Sequence, residues 1–498
     1  MRYCSTRGKA GFTTSAEAII RGLAPDRGLY VPADKLVPFA FANLPGGSYQ
    51  DLARYIFQVF LSDYDAAEIE SALRSAYSPG NFDHPQVAPV RKLSEDLFIL
   101  ELWHGPTYAF KDIALQVLPH LLQAAVEKTA DRSEIVILTA TSGDTGKSAL
   151  EGFRDVPGTK IIVYFPGNGV SQVQKLQMTT QEGGNVCVAA VRGSFDDTQS
   201  GVKKIFSDDQ LSARLAAAGY RLSSANSINW GRLLPQIVYY FAAYNDLVGR
   251  GRLQPGEKVN FVVPTGNFGN ILAGYYARQL GLPVKRLICA ANRNNVLSDF
   301  INSGIYNSRR PLYQTSSPSM DILISSNLER LIYELNGHDP EQLSALMKDL
   351  ADSGEYRIDR ETHRKLKNIF WSDFADEDET GRAIADTYRN FKYLIDTHTA
   401  VAKAVLDKYL AREKDSCPAV ILSTASPFKF AGSVIRAIFG GNCYRENSEF
   451  ELLEILARET GGAIPVNLAN LDQKPVKHKK VIAREAMRDH LLSCLNLT

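Results

Sequence analysis

The chain has 498 residues, and at about 150 residues per compact unit that length suggests roughly three such units. Its 45% apolar, 22% charged and 10% aromatic composition is that of an ordinary globular protein, which excludes a disordered, collagenous or coiled-coil chain. The 56 basic and 55 acidic residues leave a net charge of +1, so there is no broad basic field of the kind nucleic acid or an anionic membrane requires.

Cys4, Cys187, Cys289, Cys417, Cys443 and Cys494 are scattered, with no CxxC pair. That usage predicts reduced thiols, with neither a disulfide framework nor a metal site. No apolar run reaches the ~18 residues of a membrane span, and the N-terminus lacks the apolar core of a signal peptide. The expectation is a cytoplasmic protein.

In chain order, residues 1 to about 95 are mixed and show no clear repeat. From there, short β-branched runs recur, each followed by a loop and a helical pattern. The run 134–139 leads into Ser142-Gly-Asp-Thr-Gly146 and a helix. The run 160–165 ends at Pro166-Gly-Asn-Gly169, and 185–191 precedes a helix from Phe195. The run 258–263 enters Pro264-Thr-Gly-Asn-Phe-Gly-Asn270 and another helix, and 284–291 and 419–424 are further buried-strand candidates. Strands alternating with helices predict parallel sheets covered by helices, an α/β fold. Residues from 327 to about 410 read as mainly helical. The acidic run 375–380 has no ligand-loop geometry and reads as solvated surface, as does the lysine-rich 474–480.

In an open parallel sheet, ligands bind beyond the carboxyl ends of strands, where free N–H groups at helix N-termini favour anions. The segments 142–146 and 265–270 both have that strand–loop–helix form. The first is not a P-loop, because Thr141 stands where its first glycine belongs. The second is not a dinucleotide fingerprint. A third segment, His104-Gly-Pro-Thr-Tyr-Ala-Phe-Lys-Asp-Ile-Ala-Leu-Gln116, places Lys111 in the first turn of a helix after an extended stretch ended by Pro106. A helix N-terminus and an apolar setting both lower an ammonium pKa. A lysine poised to be neutral can form a Schiff base with an aldehyde.

Taken together, these segments resemble the threonine synthase family, pyridoxal-phosphate enzymes of fold type II. The resemblance rests on Tyr3-Cys-Ser-Thr-Arg-Gly8, residues 104–116, Ser142 to Gly146, Asn226-Ser-Ile-Asn-Trp-Gly-Arg232, Pro264 to Asn270, Ser317-Pro-Ser-Met-Asp-Ile322, Asp396-Thr-His-Thr-Ala400 and Ser423-Thr-Ala-Ser-Pro-Phe-Lys-Phe430. These lie in order from residue 3 to residue 430, and a first motif at residue 3 leaves no room for a cleaved transit peptide.

The resemblance implies two open parallel-sheet domains covered by helices, with an N-terminal region over 1–95 and a smaller domain over 96–225 carrying the cofactor lysine. A larger domain over 226–440 would hold the phosphate loop and the helical insert at about 327–410, followed by a C-terminal extension over 441–498. It implies that Lys111 holds pyridoxal 5'-phosphate and shuttles protons. Gly266, Asn267, Phe268, Gly269 and Asn270 would cradle the cofactor phosphate, and Asp144 would lie near the ring 3'-oxygen. Thr424 would face the pyridine nitrogen, with Ser423 the adjacent alternative. Ser142, Gly143, Thr145 and Gly146 would bind the substrate carboxylate, and Asn226, Ser227 and Arg232 the substrate phosphate. Asn226-Ser227 as a mere helix N-cap is the competing reading of those two residues. Ser317-Pro-Ser as an ordinary turn and Asp396-Thr-His398 as a helix cap compete in the same way.

The implied reaction is conversion of O-phospho-L-homoserine and water to L-threonine and phosphate by a monomer or homodimer, with no nucleic-acid or membrane partner and no metal. The alternatives are a phospholyase yielding 2-oxobutyrate, ammonia and phosphate, and a non-catalytic homologue.

Overall fold

The computed structural model describes residues 1–40, 46–129, 132–141, 143–167, 170–440, 444 and 446–497. Two helix-covered sheets dominate it. The larger has six strands in the order Phe370–Phe374, Val284–Ala291, Val259–Pro264, Ala419–Ser423, Leu97–Glu101 and Val90–Lys92. All neighbours are parallel except the last pair, which runs antiparallel at the edge. The smaller has five parallel strands in the order Val481–Ile482, Val186–Val191, Thr159–Pro166, Glu134–Ala140 and Tyr220–Ser223. Every residue of the inner strands Val259–Pro264 and Ala419–Ser423 is buried. Their mostly apolar sequences are what a strand covered on both faces demands, and the buried Asn260 amide donates to Asp415 Oδ2 at 3.0 Å.

The sheets cut across the borders read from the sequence. Leu97–Glu101, expected in the 96–225 unit, pairs with Ala419–Ser423 in register Leu97↔Ala419 to Glu101↔Ser423. The 327–410 stretch supplies helices Leu328–Leu335, Pro340–Ser353, Arg360–Ile369, Glu377–Phe391 and Thr397–Glu413, but it also contributes the edge strand Phe370–Phe374. From the C-terminal 441–498, Val481–Ile482 returns to the smaller sheet beside Val186–Val191. Strand partners are set by long-range packing, so linear borders cannot follow them.

Local chemistry explains several segments that otherwise invite function. Asp376 caps the helix Glu377–Phe391 in a reciprocal box with Glu379, so the acidic run sits at the positive end of a helix dipole. Residues 1–40 are docked as well: Tyr3 is fully buried with its hydroxyl on Phe60 O, and Thr6 and Arg7 both bond Glu329. The expectation of reduced, unpaired cysteines fails at one place. Cys187 and Cys494, 307 residues apart in sequence, are joined by a disulfide. Among the described residues, no helix is long and apolar enough to cross a membrane.

Candidate active site

Parallel strands end on one edge of a sheet, and three such ends meet here. Beyond Glu101 the chain runs through a loop to Lys111; beyond Pro264 it forms the loop 265–268; beyond Ser423 comes Thr424. From the smaller sheet, the loop after Ala140 faces the same space. The resulting cavity, of about 830 Å³, is lined by Lys111, Asp144, Thr145, Asn226, Ser227, Arg232, residues 266–270 and Thr424.

Lys111 opens the helix Lys111–Leu115, as the sequence predicts. The approach to it is stitched down: Phe110 N–H donates to Thr424 O at 2.9 Å, and Ser426 N–H to Tyr108 O at 3.1 Å. Thr107 N–H and hydroxyl bind the two oxygens of Asp112 at 2.8 and 2.6 Å, and a side chain on Gly105 would collide with that carboxylate. Lys111 is 8% exposed, with Nζ 4.8 Å from the centre of the Phe110 ring and 3.5 Å from Asp144 Oδ2. Burial lowers the Lys111 ammonium, and Lys429 and Arg232 push the same way against the opposing pull of Asp144. This is the direction a nucleophilic amine needs.

Burial alone would raise the Asp144 carboxyl, but Lys429 and Lys111 overcome it and hold the group well below the usual range. Lys429, whose side chain is fully buried, lies 2.7 Å from Asp144 Oδ1 and donates to Thr107 O at 3.0 Å. Gln174 Nε2 donates to the same carboxylate at 3.0 Å. Neither Lys429 nor Gln174 was singled out from sequence. Lys429 stands inside the motif 423–430, so that motif was the available signal.

The loop after Pro264 reaches the helix Gly269–Gln279 through Phe268, a non-glycine residue at φ +62°. The first i→i−4 bond of this helix is Leu272 N–H to Phe268 O, and the N–H groups before it have no intrahelical acceptor. Gly266 is tightly constrained, since a Cβ there would lie 2.7 Å from Ser319 O. Ser319 belongs to the turn Pro318–Met320, so the Ser317-Pro-Ser segment roofs this loop and is more than an ordinary turn. His398 Nε2 accepts the Ser319 N–H at 3.2 Å, while its Nδ1 meets Asp396 Oδ1 at 2.9 Å. Asp396 also caps the helix Thr397–Glu413, so the capping reading of that motif holds and His398 steadies the roof. Beneath the loop, Asn327 Nδ2 donates to Asn267 O and to Ser227 Oγ, and Arg330, buried against Trp230, supports Asn327 and Ser227 O. Nothing short-range in the sequence marked Asn327 or Arg330.

The helix Trp230–Gly249 is capped by Asn229, whose Oδ1 accepts from Gly231 N–H. Asn226 and Ser227 are therefore not its N-cap and line the cavity instead. Arg232 is 3% exposed; one Nη donates to Ala225 O, and its buried Nε has no acceptor among the described residues. Burial pushes its guanidinium down to about 10. Asn270 Nδ2 is likewise buried without a partner among the described residues, although Tyr239 and Tyr240 both donate to its Oδ1.

Two expectations change. Gly143 and Gly146 N–H both turn onto Thr141 Oγ1, at 3.0 and 2.9 Å, so they shape the loop, and it is Thr141 and Thr145 that join Asp144 on the lining. Ser142 lies outside the described residues. Ser423 Oγ is engaged by Trp103 Nε1 and Thr399 Oγ1, which leaves Thr424 as the hydroxyl residue on the cavity wall. His104 is held between Asp83 and Glu101 and lies off the cavity lining. Lys147 pairs with Glu151 at 2.8 Å, a structural use that leaves no P-loop lysine.

Comparison with known proteins shows the family. The profile described as "Threonine synthase N terminus" matches residues 2–77, "Pyridoxal-phosphate dependent enzyme" matches 83–366, and "Threonine synthase, C-terminal" matches 399–490. The Pseudomonas aeruginosa protein "Threonine synthase" is 41% identical over 444 residues, covering 88% of this chain and 91% of that one. "Threonine synthase-like 1" of Homo sapiens is 42% identical over 435 residues, covering 85% of this chain; the chain spans 58% of that relative's length. The solved structure of PLP-bound threonine synthase from Brucella melitensis superposes with a TM-score of 0.86 at 37% identity, covering 99% of both chains.

Proposed function

The chain belongs to the threonine synthase family of pyridoxal-phosphate-dependent enzymes, and on that premise we propose that it converts O-phospho-L-homoserine and water to L-threonine and phosphate. The observation that carries the reading is a second anion pocket beside the first. Arg232, buried and with no acceptor for its Nε among the described residues, lines the cavity with Asn226 and Ser227, and Ser227 packs against Gly269 at the N-terminus of the helix Gly269–Gln279.

The residues fit the cofactor. Residues 266–270 form a loop at a helix N-terminus suited to a phosphate, with Gly266 held so close under the Pro318–Met320 turn that no side chain fits there. Lys111 offers a buried amine of lowered pKa to an aldehyde, and Thr424, whose carbonyl accepts the Phe110 N–H, adds a neutral hydroxyl to the cavity lining. When bound, pyridoxal phosphate supplies an electron sink for charge developing on the substrate.

The remaining roles fall to the chain itself. Lys111 Nζ accepts the substrate α-proton and then serves as the proton carrier at the β-carbon. Asp144 stays ionised and positions Lys111 from 3.5 Å. Arg232, with two edges of donors, binds the substrate phosphate and steadies it as it leaves the γ-carbon. Thr145 meets the carboxylate end. Water then adds at the β-carbon, and the chain must admit it there while denying it to the α-carbon.

The test gives purified protein and pyridoxal phosphate O-phospho-L-homoserine and resolves the products by NMR. Threonine in one-to-one ratio with phosphate supports the reading. Phosphate with 2-oxobutyrate refutes it in favour of a phospholyase on the same scaffold, and no turnover in favour of a non-catalytic homologue.

A further inference from the structure

A second cluster of reactive side chains lies on the smaller sheet, at residues the reaction does not use. Cys187 on the strand Val186–Val191 is bonded to Cys494 at the end of the helix Met487–Cys494. His490, one helical turn before Cys494, sits against both sulfurs. Tyr164 Oη donates to Met487 O at 2.9 Å, so it accepts Nδ1–H of His490 at 3.0 Å. That hydrogen bond leaves Nε2 as the bare nitrogen, 4.0 Å from Cys187 Sγ and 3.8 Å from Cys494 Sγ. Burial keeps this imidazole neutral. Both cysteines are only half-buried, so a small thiol can reach them.

The bond closes on an element that supports the cavity. Val481–Ile482 is the outermost strand of the smaller sheet, and Met487, Leu491 and Leu492 pack onto that sheet's apolar face. Met487 also fills the space that Gly201 leaves on the helix Phe195–Phe206. Arg484 and Arg488 add ion pairs to Asp197 and Asp208. The other side of that helix presents Phe195, Gln199 and Lys203 to the cavity.

We propose that Cys187 and Cys494, served by His490, form a reversible thiol–disulfide site whose oxidation fastens the C-terminal helix to the smaller sheet and whose reduction by a dithiol releases it, loosening the cavity wall formed by Phe195–Phe206. In reduction, one thiolate of the dithiol attacks a cysteine sulfur and displaces the other as thiolate. The reagent's second thiolate then displaces the first cysteine. Two electrons and two protons pass to the cysteines, and the reagent leaves as a cyclic disulfide. In oxidation by a small disulfide, one cysteine sulfur, its S–H polarised by a hydrogen bond to neutral His490 Nε2, attacks the reagent's S–S bond and displaces one of its sulfurs; the second cysteine then attacks the mixed disulfide and displaces the other, and the two thiol protons pass to the departing sulfurs, so the oxidant leaves as two thiols.

The test uses the full chain, incubated with dithiothreitol or oxidised glutathione, trapped with N-ethylmaleimide and mapped by mass spectrometry. The expected result is a Cys187–Cys494 linked peptide that disappears with the dithiol and returns with the oxidant. Amide exchange in 487–494 should run at least about tenfold faster in the reduced form and in Cys494→Ser. His490→Gln should form the same bond severalfold more slowly, a readout independent of whether Cys494→Ser folds. A link that never forms under oxidant, or that the dithiol cannot open in the folded chain, overturns the proposal. Equal exchange in the two forms of the wild-type chain does so too. Stoichiometric zinc on the isolated chain with both thiols intact overturns it in favour of a metal site.

Discussion

Replacing Lys429 by methionine removes a fully buried ammonium 2.7 Å from Asp144 Oδ1 while keeping most of its aliphatic volume. Two unit charges at that separation attract by about 6 kcal/mol at an effective dielectric near 20. Methionine also relieves the desolvation of the lysine, worth several kcal/mol. Asp144 keeps Lys111 at 3.5 Å and the Gln174 amide at 3.0 Å. The net loss should therefore be about 3 kcal/mol, half the gross attraction. For 498 residues the unfolding entropy is about 1 kcal/mol per kelvin, so the apparent midpoint should fall by ~3 °C. Asp144→Asn strands two buried ammonium groups and should cost about 3–5 kcal/mol. The double variant leaves only Lys111 unpaired, so it should cost at least about 2 kcal/mol less than the sum of the singles. Calorimetry and urea unfolding of the cofactor-free chain at neutral pH measure all three. Single-variant effects that add within about 0.5 kcal/mol would refute the claim that Lys429 is the counter-ion of Asp144.

Lys111→Ala should abolish the absorbance of lysine-bound pyridoxal phosphate and lower turnover by at least ~10²–10⁴-fold; a variant that keeps both would remove Lys111 from the chemistry. Gly266→Ala drives a Cβ to 2.7 Å from Ser319 O, a backbone atom that cannot swing away. It should cost about 1–3 kcal/mol and weaken cofactor retention, read by equilibrium dialysis. Arg232→Lys gives up the paired donors and should raise KM for the phosphorylated substrate about tenfold or more, with a smaller effect on an unphosphorylated analogue. Asp144 has a folded pKa below its unfolded value of about 3.9, so its contribution is complete above that pH and lost as pH falls through the folded value. The wild-type midpoint should therefore drop more steeply from pH 5 to pH 2 than that of Asp144→Asn, as thermal scans across that range would reveal.

What could be read from the sequence is what short windows encode. Apolar-rich runs such as 259–264 marked strands buried on both faces. Glycines at 266 and 269 before a helical pattern marked an anion cradle, and the spacing after Pro106 placed Lys111 at a helix start. Each is a property of local backbone geometry and burial pattern. Even some competing readings were decided locally: Asn229, three residues beyond Asn226, takes the capping role.

The tertiary structure decided everything that depends on which strands become neighbours. Leu97–Glu101 beside Ala419–Ser423 brings Lys429 to Thr107 O, the loop after Glu134–Ala140 of the other sheet sets Asp144 against the same ammonium, and no window of sequence contains that pair. Asn327 and Arg330 support the loop 265–268 from a helix start some sixty residues downstream of Asn267. Thr141, read as a defect in a P-loop, instead gathers the Gly143 and Gly146 N–H groups. Cys187 and Cys494 meet only because the chain returns after 307 residues to edge the sheet it began. Side-chain type and spacing dictate which local structures form. Which buried charges and thiols face one another is set by sheet order, through packing that is cooperative over the whole chain.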